Sequence, residues 1–257
     1  MVRIVADLGN SRLKWARLGS DRRLEQTVAV PVDDEDAWSA AWHRWDLSGA
    51  GSSWAISTVN PPIADRFGSF LKGMGASGLR WYTSAADVPV RHVLEEPGST
   101  GTDRAFAVLA ATAMQPAGTP GLVVSCGSAV VVERVSAAGV WEGGAIAPGM
   151  GMSSRALHLL TAQLPLVSVA SAPPAWGSAT SPAIAAGLFW GTVGAIRELV
   201  ARQSAGLEPA PWVVWTGGEA PLFTSWISGA EALIVPDLVL LGLAQTALDQ
   251  DDGRPEP

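Results

Sequence analysis

Two stretches decide how this chain is read. The first is Ile4-Val5-Ala6-Asp7-Leu8-Gly9-Asn10-Ser11, and the second, about 118 residues further on, is Val123-Val124-Ser125-Cys126-Gly127-Ser128-Ala129. In each, an apolar run enters a glycine turn flanked by small hydroxyl or amide side chains. A second apolar run then leaves it, through Leu13, Trp15 and Ala16 in one case and from Ala129 to Val135 in the other. Glycine allows the tight turn and leaves no Cβ in the way of a ligand. The spacing is too long for a solenoid, whose repeats run to about 20–50 residues. It fits a duplicated domain with two glycine hairpins facing a shared cleft.

Outward from these hairpins, strands and helices alternate. Strands are expected at residues 3–6, 54–59, 79–83, 122–125, 129–135, 212–215 and 234–235. Helices are expected at 33–45, 63–74, from just after Arg104 to about 114, 152–164, 183–201 and 238–248. Asn60-Pro61-Pro62 ends the strand before it. Gln115 to Pro120, with two prolines and a glycine, marks a boundary between residues 1–117 and 118–250, and the polar tail 251–257 is expected to fray. Alternation of this kind is the α/β class.

Composition removes several functions. The 257 residues carry a net charge of −7, with 48% hydrophobic and 16% charged side chains. That is a core-forming chain, and its acidic balance excludes sequence-independent nucleic-acid binding. One cysteine excludes an internal disulfide or a CxxC metal site. The longest apolar run noted near the end, Leu238 to Leu241, is far below the ~20 residues of a bilayer span, and the N-terminus lacks a signal peptide's apolar core. No membrane partner is expected, and the cytoplasm is the default setting. The GxxxxGK[ST] phosphate loop, the HExxH zinc motif and the GxSxG elbow are all missing.

Three segments can carry chemistry. Gly9 lets backbone amides approach an anion, Asn10 and Ser11 add short donors, and Lys14, one of only two lysines, lies on the emerging strand. Asp7 ends the first strand, where a carboxylate holds magnesium directly or through water. The alternative is an ordinary hairpin with a polar start. Gly101-Thr102-Asp103-Arg104 opens a helix. There Asp103 serves either as a dipole-favoured first-turn acid or as a base beside a substrate-gripping Arg104. Thr216-Gly217-Gly218 follows a buried strand, and its glycines suit a tight turn or a flat ring laid on the backbone.

In order, these pieces resemble type III pantothenate kinases of the actin-like ATPase superfamily. The residues that carry the resemblance include Asp7 to Lys14, Gly101 to Arg104, Gly127-Ser128-Ala129, Gly143 to Gly149, Leu164-Pro165, Thr180, Gly187, Gly191, Thr216-Gly217-Gly218 and Pro236 to Leu243. The resemblance implies two ribonuclease-H-like halves with ATP between them, and phosphorylation of pantothenate's primary hydroxyl, the first step towards coenzyme A. It implies that Asp7, Leu8, Gly9, Asn10, Ser11, Arg12, Leu13 and Lys14 bind ATP phosphates and magnesium. Ser128 contacts ATP, Gly217 and Gly218 lie at the nucleotide, and Asp103 takes the proton. Gly101, Thr102, Asp103, Arg104 and Thr180 bind pantothenate. It further implies a homodimer and a monovalent cation such as potassium or ammonium. Ser125 stands at the family's cation position, where a hydroxyl replaces an aspartate; Val131 replaces a threonine of the same motif. Leu94 stands where a tyrosine often lines the pantothenate pocket. Two alternatives stay open: a weakly active or inactive regulatory relative, and a kinase for another small hydroxy acid.

Overall fold

The computed structural model describes residues 2–246 except 22, 48–50, 77 and 230. The chain folds as two units, each around a five-stranded sheet. In the first unit, β1 (Val2–Leu8), β2 (Arg12–Leu18) and β3 (Leu24–Pro31) form an antiparallel meander. β4 (Ser52–Thr58) and β5 (Gly78–Tyr82) then add in parallel on the other side, giving the order β3-β2-β1-β4-β5. β1 is central, which is why Ile4, Val5 and Ala6 form an unbroken buried run. β3 was not expected from the sequence. It is an edge strand, largely exposed, and only Val28 and Val30 pack on the core. Its mixed Leu-Glu-Gln-Thr start hides the period-2 signal.

The helices α1 (Glu35–Arg44) and α2 (Pro61–Gly73) share a core with this sheet. Asp34 caps α1, its Oδ1 accepting from Ala37 N at 2.9 Å. The Asn60-Pro61-Pro62 stop doubles as the start of α2, with Asn60 as cap and proline in the first turn. Five of the chain's twelve tryptophans are buried in this core. Trp15, Trp38, Trp42, Trp45 and Trp54 are all buried there with Phe67. Trp42 stacks on Trp54 with ring centroids 6.0 Å apart, and Trp15 meets Trp54 edge-on at 5.8 Å.

The second unit repeats the plan. β6 (Gly121–Cys126), β7 (Ala129–Val135) and β8 (Trp141–Pro148) form the meander, and β9 (Trp212–Thr216) and β10 (Leu233–Ile234) run parallel to β6, in the order β10-β9-β6-β7-β8. The order read outward from the central strand is that of the first sheet, so each half has the ribonuclease-H-like topology expected for it. The unit also holds α4 (Met150–Leu159), α5 (Thr180–Ser204) and α6 (Ala220–Ile227). By length and composition α5 could cross a bilayer. Here Phe189, Val193 and Ile196 are instead buried in the second core with Val124, Val132 and Trp215. α4 stops at Leu159, short of the expected 164, because a loop takes over at Leu160.

One expectation about the division of the chain is corrected. The closing helix α7 (Leu238–Thr246) belongs with residues 2–90 and 94–113 of the first unit, whereas residues 91–93 join residues 114–237 in the second. The cause is packing: α3 (Thr102–Ala113) meets α7 so closely that Gly242 lies on the Phe106 carbonyl. Leu238, Leu240 and Leu243 are buried in consequence. Residues 91–93 lie along β8, where Trp141 N donates to the Arg91 carbonyl at 2.8 Å. The expected tail 251–257 lies outside the described residues.

A Cβ at Gly242 would sit 2.3 Å from Phe106 O, while one at Gly194 in α5 meets nothing within 4 Å. Gly242→Ala is expected to lower stability by about 1–3 kcal/mol, the usual cost of overpacking. Gly194→Ala should be neutral or stabilising by up to ~1 kcal/mol. Urea unfolding of the two variants side by side checks this.

Candidate functional site

In the first unit, polar chemistry gathers where β1, β4 and α3 meet. Asp7 is the penultimate residue of β1. Antiparallel pairing sets it opposite Lys14, and parallel pairing sets it beside Ser57. Register partners project from the same face of a sheet, so cation and hydroxyl flank the carboxylate. Ser57 Oγ donates to Asp7 Oδ1 at 3.2 Å and lies 2.9 Å from Thr102 Oγ1. Thr102 Oγ1 donates in turn to the Thr58 carbonyl at 3.1 Å. Two hydroxyl protons serve these three contacts. A proton on Asp7 would supply the third, so the chain is complete only when Asp7 is neutral.

The electrostatics point the same way. Burial, with the Asp103 charge adding to it, raises the Asp7 carboxyl from 3.8 to about 7, against the opposing pull of Ser57 and Lys14. Asp103 follows Thr102 in the first turn of α3. It is half-buried, and its Oδ1 accepts from Arg104 N at 2.9 Å. A Cβ on Gly101 would lie 2.6 Å from that oxygen, so the carboxylate occupies the space the glycine leaves. The β1–β2 turn closes through Gly9 N donating to Arg12 O at 3.1 Å, with Asn10, Ser11 and Arg12 exposed around it. Next to Gly101 opens a cavity of about 610 Å³, lined by Thr58, Val59, Trp81, Thr100 and Lys72.

In the second unit, Gly127 and Ser128 form the β6–β7 turn, with Ser128 exposed. Gly217 has φ +91°, and a Cβ there would lie 2.2 Å from the Cys126 carbonyl oxygen. That conformation and that contact both require glycine. Glu219 N donates to the same carbonyl at 3.1 Å. The Glu219 carboxyl is half-buried and its Oε2 is buried without a hydrogen-bond partner. Burial raises its affinity for a proton. Cys126 is buried, and burial with the Glu219 charge pushes its thiol up to about 12. It is a core residue and not a nucleophile.

The sequence-derived residues therefore divide. Asp7, Gly9, Lys14, Gly101, Thr102, Asp103 and Arg104 belong to the first unit, whereas Ser125, Ser128, Thr180, Gly217 and Gly218 belong to the second. Within the β1–β2 hairpin, Leu8 and Leu13 are fully buried in the tryptophan core, so only their backbone faces the turn. Thr102 is likewise fully buried, and its hydroxyl holds α3 to β4 by donating to the Thr58 carbonyl. Thr180 is exposed at the start of α5. The sequence reading missed Ser57, which looks like any small strand residue until the register pairs it with Asp7.

The sequence model of one protein family, type III pantothenate kinase, matches residues 3–202. A type III pantothenate kinase from Porphyromonas gingivalis is 34% identical over 245 residues, covering 93% of this chain and 95% of that protein. Another from Gluconobacter oxydans is 40% identical over 163 residues, covering 63% of this chain and 59% of that protein. Among solved structures, the activator of 2-hydroxyisocaproyl-CoA dehydratase from Clostridium difficile superposes with a TM-score of 0.53 at 12% identity, over 100% of both chains, which is a likeness of fold.

The raised Asp7 carboxyl has a stability consequence. Between about pH 4 and pH 7 the folded chain keeps a proton on Asp7 that the unfolded chain has released, so this group's contribution falls as pH rises through that window. Asp7→Asn is expected to melt several degrees above the wild type at about pH 8 without divalent ions, where ~1 kcal/mol moves Tm by about 2–4 °C. The gap should close towards pH 4. Melting curves across that range check the sign.

Proposed function

The chain belongs to the type III pantothenate kinase family, and on that premise we propose that it transfers the terminal phosphoryl group of ATP to the primary hydroxyl of pantothenate, the opening step of coenzyme A synthesis in the cytoplasm. The observation that carries the residue assignment is the Asp7–Asp103 pair, held by Ser57 and Thr102 at the end of β1 and β4.

Phosphoryl transfer passes through a loose transition state, so positioning and charge neutralisation supply most of the rate. Asp103 is the base. It sits on a helix turn that Thr102 anchors to the sheet, which fixes its carboxylate towards the incoming hydroxyl and lets it take the proton as the O–P bond forms. Arg104, half-buried beside it, would pair with pantothenate's carboxylate. The Gly9 turn offers backbone amides to the phosphates, and Lys14 adds a positive charge. Ser128, Gly217 and Gly218 would contact the nucleotide from the second unit. Asp7 fits a magnesium ion: its negative form is unfavourable beside Asp103 until a cation offsets it. Bound there, magnesium would neutralise charge on the phosphates.

The working form we propose is a homodimer. Along α4 and the loop beyond it, Met152, Leu159, Leu160, Leu166 and Trp176 are all exposed, Leu160 by 83% and Trp176 by 81%. Monomeric proteins rarely leave such apolar clusters uncovered, and a second copy is the simplest cover.

Asp103→Asn is expected to cut kcat about 10²–10⁴-fold while ATP binding and the melting curve persist. A coupled assay for ADP formation with pantothenate reads this, and near-wild-type turnover in the variant would overturn the assignment of the base. For the dimer, Leu160→Glu should shift sedimentation from two copies to one, since a charge on an exposed leucine leaves the monomer's core untouched.

A further inference from the structure

Ser57 stands in the middle of a row that crosses the first sheet. Its register partner on β1 is Asp7, and its register partner on β5 is Tyr82. All three side chains leave the same face. That face carries α3. The Tyr82 ring meets the Phe106 ring edge-on with centroids 5.0 Å apart, and the Ser57 hydroxyl lies 2.9 Å from Thr102 Oγ1. Phe106 is one helical turn beyond Asp103, so the row forms the floor beneath the first two turns of α3. Ser57 and Thr102 are both fully buried, and bulk solvent reaches neither hydroxyl.

The fold does not need the Ser57 hydroxyl to hold α3. Thr102 Oγ1 already fastens the helix to the sheet by donating to the Thr58 carbonyl at 3.1 Å. Alanine at position 57 would leave that bond in place. It would remove the bond from Ser57 Oγ to Asp7 Oδ1 at 3.2 Å, and with it the hydroxyl contacts that run from Asp7 to the turn bearing Asp103.

We propose that Ser57 is a positioning residue for the transfer, a single hydroxyl that ties the carboxylate of Asp7 to the helix turn carrying the base. The two carboxylates come from distant parts of the chain, the end of β1 and the start of α3. They serve opposite ends of the reaction: Asp7 the cation on the phosphates, Asp103 the proton of the acceptor hydroxyl. Phosphoryl transfer needs both placed at once, and a displacement of about 1 Å costs ~10²-fold in rate. Ser57 touches no reacting atom and acts through Asp7 and Thr102. The inference rests on the kinase reading and deepens it, but its first measurement reads magnesium binding and not turnover.

That measurement is the melting of the full chain titrated with magnesium chloride, in mildly alkaline buffer at constant ionic strength, with Asp7→Asn as the background. Magnesium should raise the wild-type Tm more than that of Asp7→Asn. Ser57→Ala should melt within a few degrees of the wild type in EDTA, yet need about 10–100-fold more magnesium for half of the rise, the usual cost of removing a partner hydrogen-bonded to a metal-ligating carboxylate. The second measurement is steady-state turnover of pantothenate at saturating magnesium. Ser57→Ala should lower kcat about tenfold or more and leave the pantothenate KM within about twofold. Position 102 then separates hydroxyl from shape. Thr102→Val keeps the shape and should lower kcat as Ser57→Ala does, whereas Thr102→Ser keeps the hydroxyl and should stay near the wild type. The double variant Ser57→Ala/Thr102→Val should cost less than the two single losses combined, because both break one path. No magnesium response in the wild type, an unchanged magnesium midpoint in Ser57→Ala, or a kcat that follows shape at position 102 would overturn the proposal. A chain that shows the stated magnesium shift in Ser57→Ala yet fails to phosphorylate pantothenate as wild type would instead count against the kinase reading alone.

Discussion

The parallel pairing of β1 with β4 is the constraint on which the first unit's chemistry depends. It sets Asp7 beside Ser57, and from there hydroxyl contacts run through Thr102 to the Thr58 carbonyl. The same contacts fasten the first turn of α3 to the sheet. They thereby fix where Asp103 stands, one residue past the anchor. Slipping β4 by one residue would turn Ser57 to the opposite face and leave both carboxylates without their support. The arrangement stores a cost: two acids share a poorly solvated corner, and the chain accepts a carboxyl raised to about 7 to keep them there.

What withstands that cost is the packing behind it. Leu8 and Leu13, on either side of the β1–β2 turn, are buried in a core dense with tryptophan and phenylalanine rings. On the other face, α3 and α7 close over the sheet at Gly242. The turn is held at both flanks by apolar burial, so Asn10 and Ser11 can stay exposed without having to stabilise themselves. Functional groups placed on rigid strands in this way lose less geometry than groups on loops.

The second unit uses the same topology with a different chemistry at its strand ends. Where the first sheet carries Asp7 at the end of its central strand, the second carries Ser125, paired in register with Thr216, and the turn beyond closes with Glu219 N donating to the Cys126 carbonyl. The two sheets share one strand order and differ in the residues at their central strand ends. Cys126, whose position beside a glycine turn invites a reactive role, is sealed in the core with its thiol pushed up to about 12.

The sequence by itself determined the α/β class, the two glycine hairpins, the order of the phosphate, Gly101–Arg104 and Thr216–Gly218 segments, and most element positions. These follow from local causes: apolar periodicity, glycine's conformational freedom, and caps and prolines at helix starts. It also carried the family, because the motif residues occur in order along the chain. Tertiary structure alone decided the rest. The edge strand β3 lacks a strong pattern because it is half solvated. The return of α7 to the first unit depends on a contact with α3 more than a hundred residues earlier in the chain. Strand register set Ser57 beside Asp7, and the docking of α3 on β4 buried Thr102. That Glu219 Oε2 is buried without a hydrogen-bond partner likewise shows only in the folded chain. Each of these depends on which distant residues become neighbours, and no local pattern in the chain encodes that.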